Sequence, residues 1–498
     1  MTIPNVVLHV NDGGLGASVP GAGGTMVVIG VSSAGTQYQP ISSTQPPDFV
    51  TNNGYGPSVE LAAFIANATG NDMILIKAPT ATPGANTGVT TARVGSSTCV
   101  VTVTGTPDDS YSKAIVTVTV GGTIGVAGIL ATVSLDNGRT TYATINLGTA
   151  VTYVIPNTGL TLNFAAGTLD AGDVFSWYST EPLWSSAGIV SAIQALYGMV
   201  TPFQDILIVG GSTATSSTGG PGATAGDIST IDTAMTALFN KKQFHRAYVN
   251  LRDADYGGTS TENEATWMTS LEAAVVGTET LRTGATAGHY NCISAISQSQ
   301  FRRPLLFQVG SRDSAVAIQV DLARVSDGSL ASTPNSPPLV ADGFIYHDEA
   351  QNPGLDAARL TTARRFPGRP GWYITNPNTL AKPGSDFSLL QMGHVMDAAT
   401  NVAWNYFLEK LSDSVRVDST SGKILEVDAQ ALELGCNAQL KAVLIDPGAV
   451  SNAFTVVNRT TNILSVKTLY VVLSVIPLGY LKTIDVTLTF LNPALLAA

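Results

Sequence analysis

"DILIVGGSTATSSTGGPGATAGD", residues 205–227, holds the pattern on which the fold turns. Four apolar residues, Ile206 to Val209, run into a long glycine-rich loop. Ile228, Ile231, Met235 and Leu238 then recur at helical spacing. Strand, loop and helix in that order make a βα unit. Phosphate cradles are built the same way, because glycine lets the backbone close on an anion at the helix N-terminus. This loop has the glycine and lacks the rest. A Walker loop carries Lys and a hydroxyl directly after its last Gly, and the nearest Lys here is Lys241, deep in or past the helix. The spacing G-x-G-x-x-G is missing too, and "VPGAGG" (19–24) has its glycines before a strand instead of after one. The expectation is a long surface loop with no nucleotide.

The same alternation extends outward. "TMVVIGV" (25–31) and "DMILIKAP" (72–79) read as strands around a short helix from Ser58, with Ser58 as N-cap. Strand-like runs recur at 206–209, 247–251, 290–296 and 305–309, with helical patterns at 262–276 and 313–325. That order predicts a mostly parallel sheet. From about 89 to 182 the texture changes to short β patterns only, with a tight-turn signal at Asp136-Asn137-Gly138, and reads as an inserted β-sandwich. A long helix follows over about 386–411, with Leu389, Met392, Met396, Ala399, Ala403 and Phe407 on one face. Another from about Asp428 carries Leu432, Cys436, Leu440 and Val443. The closing "TIDVTLTF" alternates strictly, with Ile484, Val486, Leu488 and Phe490 on one side. That side is expected to pack on the chain's own core.

The 498 residues are too many for one ordinary domain, and only 12% are charged. So sparse a charge suits a protein that covers much of itself with its own copies. The net charge of −11 argues against nucleic acid as a partner. The local cluster Arg359, Arg364, Arg365 and Arg369 is expected to serve inter-domain or inter-subunit ion pairs. Cys99, Cys292 and Cys436 are scattered, as reduced thiols are in a cytosolic chain. The start, "MTIPNVVLHVND", is not a signal peptide, and the apolar run 469–481 is too short to span a bilayer. Assembly in a cytoplasm is expected.

Two acidic stretches have the residue types that bind metal. "RDADYGG" (252–258) places Asp253 and Asp255 after a strand, where turn formation competes with cation binding. "YHDEA" (346–350) sets His347 beside Asp348 and Glu349, whose side chains diverge. Neither forms a site unaided, and neither G-x-S-x-G nor H-E-x-x-H occurs. No cofactor, metal or catalytic residue is expected.

"RFPGRPGWYITNPNTLAKPGSDFSLLQMGHVMDAATNVAW" (365–404) resembles the start of the core of contractile tail sheath proteins of bacteriophages and related injection systems. "VVNRTTNILSVKTLYVVLSVIPLGYLKTIDVTLTFLNP" (456–493) is similar to that core's closing strands. The resemblance implies an α+β multidomain chain: an N-terminal arm (1–24), a discontinuous α/β middle domain (25–88 and 183–370), the β-sandwich insert (89–182) and a C-terminal helix-plus-sheet core (371–498) with extended terminal arms. It implies a structural subunit that polymerises with itself around an inner tail tube protein, between baseplate and tail terminator proteins. Contraction then drives the tube through a target envelope without nucleotide, nucleic acid or membrane as partner. The place implied is the virion tail, after assembly in the host bacterial cytoplasm. Val6, Leu8 and Val10 at one end, and Ile484, Val486, Leu488 and Phe490 at the other, become inter-subunit strand arms. Lys441, on the 428–444 helix, becomes the candidate for facing the tube. The insert is expected to be dispensable for polymerisation. A surface adhesin or other virion decoration protein accounts equally for the β insert and low charge, but not for the long helix or closing strands.

Overall fold

The computed structural model describes residues 24–214, 222–254, 262–330 and 344–486. The expectations placed on Val6, Leu8, Val10, Asp255, Leu488, Phe490 and most of the glycine loop lie outside these. The chain divides into two compact units, up to Ser412 and from Asp413.

The first unit is built on a six-stranded sheet. Its order is Thr283–Thr286, Arg246–Asn250, Asp205–Ile208, Met26–Gly30, Met73–Lys77 and Pro40–Ser43, parallel except for the last, antiparallel edge strand. Side chains alternate between two cores, as the strand period requires. Val27, Ile74, Ile206 and Val249 face the helices Ser186–Gln194, Ala225–Asn240 and Glu264–Val275. Met26, Leu75, Leu207 and Tyr248 face Pro57–Thr69 and Leu306–Ala315. Because both faces are covered, the central strands Met26–Gly30, Met73–Lys77 and Asp205–Ile208 are near-continuous apolar runs. Each Ile, Leu or Val sealed there contributes about 1.5–3 kcal/mol.

Several local expectations are corrected. Gly56, not Ser58, is the N-cap of the first long helix. Pro57 opens it, and Ser58 donates its hydroxyl to the Val31 carbonyl at 2.9 Å. The 305–309 run is not a strand but the start of the helix Leu306–Ala315, and 313–325 does not continue it. His289–Ile293 and Gln300–Pro304 form an antiparallel hairpin outside the parallel sheet. The long helix is shorter than expected, Leu390–Leu408, and belongs with the first unit. It buries His394 and Asp397 together with Ala399, while Met392, Met396 and Phe407 are only half-buried.

From Ala85 to Thr180 every regular element is a strand. A sheet centred on Tyr111–Val120 and Val174–Thr180 shares a core with the three-stranded sheet Thr152–Ile155, Leu160–Phe164 and Val101–Gly105. Asn137 and Gly138 both adopt positive φ, 63° and 82°, as the turn chemistry requires. Phe301 of the hairpin belongs to this core, its ring tilted against those of Tyr111 and Tyr142.

In the second unit the helix Glu426–Leu440, ending in a wider turn over Lys441–Ile445, packs on a hairpin of Asn452–Val457 and Val471–Ile476. Residues 481–486 adopt no regular structure, and Ile484 and Val486 are 72% and 67% exposed. The expectation that this alternating face packs on the chain's own core is therefore overturned, because nothing described in the chain covers it.

Candidate functional site

The sheet's crossovers place helices on opposite faces to either side of Met26–Gly30 and Asp205–Ile208. In such sheets ligands bind beyond the carboxyl ends at this switch point. A cavity of about 300 Å³ lies there. Val209, Asn250 and Phe307 come from the sheet side, and Tyr111, Tyr178 and Glu181 from the β stretch. Its charged groups are Asp109, Glu181, Asp253, Arg302, Arg303 and His289. Both arginines are already paired, Arg303 with Asp109 at 2.7 Å and Arg302 with Asp253 at 2.6 Å. The glycines answer to packing: a Cβ on Gly222 would sit 2.1 Å from the Arg252 nitrogen, and Gly210 has φ 100° with its N–H donated to Asn250 Oδ1.

Asp253, the described half of the first metal candidate, receives both Arg302 Nε and Nη2, and His289 Nδ1 lies 3.6 Å away. Burial alone would raise its carboxyl. Arg302, with help from His289, outweighs that and holds it below the usual range. His347, buried, binds Glu264 through Nδ1 (2.9 Å) and Glu349 through Nε2 (2.7 Å). Although burial opposes its charge, the two carboxylates raise its pKa. Sequence reasoning saw Glu349 beside His347 but had no signal for Glu264, which arrives from a different helix.

Among the described residues, Asp205, Asp313 and His394 have the spacing of metal ligands. Their atoms are committed to one another: His394 Nε2 meets Asp205 Oδ2 at 2.7 Å, and Gln204 donates to Asp313 Oδ1. Burial disfavours a charged His394, yet the adjacent Asp205 and Asp313 lift it to about 9. Burial drives Asp313 well above the usual carboxyl range. Beside this group Asp397 pairs electrostatically with Arg246 at 2.9 Å and accepts a hydrogen bond from Arg282 at 3.1 Å. The arrangement is a charged pin fixing the Leu390–Leu408 helix to the sheet. Two members of the basic cluster are engaged within the first unit, while Arg369 is exposed. Arg359 donates to the carbonyls of Leu380, Ala381 and Thr278, and Arg365 pairs with Asp348.

No catalytic constellation is assembled among these groups. What remains unsatisfied is surface. On the hairpin of the second unit, Ala453, Thr455 and Val457 are buried. Phe454, Val456, Val472 and Ile476 point the other way and are 36%, 44%, 61% and 50% exposed. Among the described residues no third strand pairs with this two-stranded sheet. The outward N–H groups of Thr455 and Val457 are already donated to Asn437 and Glu433, so the edge without such caps is that of Val471–Ile476. Leu481, Ile484 and Val486 extend the apolar exposure beyond it. The helix is fixed by polar contacts: Asn437 accepts from Thr455, Arg459 bridges Glu426 and Glu433, and Arg416 binds Asp428. Asp428 and Glu433 are thus occupied, whereas Lys441 is exposed.

This fold is shared with a contractile sheath. The chain is similar to the sheath of an extracellular contractile injection system, PVC, in its contracted state. The two are 10% identical with a TM-score of 0.50, over 98% of each chain. It also matches the sheath tail proteins of Desulfitobacterium hafniense and Listeria innocua. Both are 12% identical with TM-scores of 0.43, over 95% of this chain and 100% of the first, and 92% and 96% for the second. By sequence the chain belongs to the DUF2586 family, whose N-terminal domain matches residues 3–378. Comparison with curated proteins gives no match. Among the described residues no helix is long and apolar enough to cross a membrane.

Proposed function

We propose that this chain is the structural subunit of a contractile tail sheath, polymerising with itself around an inner tube and contracting to drive the tube through an envelope. The observation that carries this reading is a likeness in fold to the contracted PVC sheath that runs along almost the whole of both chains. The exposed apolar hairpin of the second unit supports it, since such a surface is a hazard in a lone monomer and an asset in a lattice.

In this reading the β stretch 89–182 is a module inserted into the α/β middle domain (25–88 and 183–370), and 371–498 forms the terminal core. Val6, Leu8 and Val10 add a strand to a neighbour's open hairpin. Ile484, Val486, Leu488 and Phe490 reach another subunit in the same way. Backbone hydrogen bonds hold such links while subunits rotate. Lys441 faces the tube, and baseplate and terminator proteins close the ends. The role needs no catalysis, nucleotide or metal, and its place is the virion tail after assembly in the host cytoplasm.

Negative-stain microscopy of the purified chain tests the reading. Long hollow cylinders are expected, and discrete small oligomers at every concentration would end it. Deleting residues 1–12 should leave a folded, mainly monomeric protein. Full-length cylinders from that deletion would remove the arm from the scheme.

A further inference from the structure

Where the β stretch meets the hairpin of the first unit, three buried carboxyl groups face one guanidinium. Asp109, Glu60 and Glu181 are 3%, 7% and 9% exposed, and Arg303 is 4% exposed. Arg303 gives Nη2 to Asp109 at 2.7 Å and Nη1 to the Ser110 carbonyl at 2.9 Å. Ser110 in turn donates its hydroxyl to Glu181 at 3.1 Å, and Ser294 donates to Glu60 at 2.9 Å. One positive charge offsets one carboxylate. Two more ionised carboxylates in the same desolvated joint would repel Asp109 and each other.

Other groups around the joint bring no spare cation. Arg302 is bound to Asp253, and burial holds His289 neutral by lowering it to about 4. Asp108 adds another carboxyl, raised by burial to about 6. Tyr55, Tyr111 and Tyr142 are all raised by burial and stay neutral. The charge count therefore closes only with protons on Glu60 and Glu181. The adjoining 300 Å³ cavity, which Glu181, Asp109 and Arg303 line, gives water a route to the joint once its carboxyls ionise.

We propose that this joint is a proton-controlled latch: the β module docks firmly on the hairpin while Glu60 and Glu181 carry protons, and loosens when they lose them. The chain enters and leaves the module beside the Thr82–Leu183 bridge, which serves as the pivot. Phe301 and the Arg139–Tyr346 hydrogen bond keep the loosened module tethered. Burial pushes Glu60 up to about 7 and Glu181 up to about 8, with Arg303 only partly opposing it. Groups raised in the folded state stabilise it fully below their ordinary value of 4.5, and that contribution is lost as pH rises through 7 and 8. The inference is independent of the sheath reading.

Hydrogen exchange followed by mass spectrometry on the full chain, corrected for intrinsic rates, tests it at pH 6 and 8.5. Peptides covering 106–112, 178–183 and 300–304 should lose protection by about tenfold or more at the higher pH, because releasing a proton from a raised carboxyl changes the opening equilibrium by that order. Any change in the central strand Met26–Gly30, where the His394–Asp205 pair also responds to pH, should be the same in the wild-type chain and in the double variant below. In the double variant Glu60→Gln with Glu181→Gln, whose amides mimic the neutral acids, protection should persist at both pH values. Uniform protection in the wild-type chain would overturn the latch, as would an undiminished loss in the variant. Should the variant fail to fold, the wild-type comparison decides alone.

Discussion

Two sheets in this chain meet the problem of burial in opposite ways. The six-stranded sheet of the first unit is covered on both faces by its own helices, so Leu75 and Ile206 have no exposed surface. The hairpin Asn452–Val457 and Val471–Ile476 has one helix for one face, and Phe454, Val456 and Val472 remain uncovered. Apolar alternation alone does not reveal this difference. A covered face means the fold is complete within one chain. An uncovered apolar face is one that the described residues of the chain do not complete.

The largest expected effect lies on the complete side. Asp397 neutralises Arg246 and Arg282 where all three are largely buried. Asp397→Asn should cost about 3–5 kcal/mol, because two cations lose their counter-charge. Denaturant unfolding reads it directly, and a loss under about 1 kcal/mol would mean the pin carries little. Next comes Phe301, inside the β module's core. Phe301→Ala should lower stability by about 3 kcal/mol. It also revises the expectation that the module can simply be removed. Deleting 89–182 should give soluble protein only when Phe301 is replaced by a polar residue as well, and a soluble simple deletion would break that claim.

A smaller effect separates the two buried charge sites by pH. His394 is raised in the folded state to about 9, above its ordinary 6.5. Its contribution is complete below pH 6.5 and is lost as pH rises through 9. Melting temperature should therefore fall between these values, and His394→Asn should flatten that part of the profile. An unchanged slope would assign it elsewhere. The smallest effect on folding belongs to the open hairpin. Val472→Lys and Val486→Lys should each shift monomer stability within about 0.5 kcal/mol, while abolishing self-association in sedimentation. An unfolded Val472→Lys chain would show that the face is covered after all and erase the contrast.

The helices and apolar strands of the first unit are legible in the sequence because their signals are local. Ile228, Ile231, Met235 and Leu238 are spaced for one face, and all four are fully buried. The strand Thr283–Thr286 is not legible. Its residues, Thr-Gly-Ala-Thr, carry no hydrophobic pattern, because Gly284 lies against the Tyr248 ring and leaves no room for more. The pin escapes sequence reasoning for a different reason. Asp205, Asp313 and His394 come from three distant segments, and a helix stripe of Met and Leu hides the polar residues that face inward. "TIDVTLTF" misleads in the opposite sense. Alternation predicts a two-sided strand, yet residues 483–486 adopt no regular structure and all four are exposed.

The Arg359 fork has a consequence for ionic strength. Ion pairs such as Arg416–Asp428 are surface features, weakened as the screening length shrinks from about 10 Å at 0.1 M salt to about 3 Å at 1 M. Arg359 instead spends its guanidinium on three carbonyls, at 2.8–3.0 Å, and the carbonyls carry no net charge to be screened. It joins the Thr278 turn to the Leu380–Ala381 segment by hydrogen bonds that stay short whatever ions surround the protein. Brine and dilute buffer should therefore find this seam equally closed.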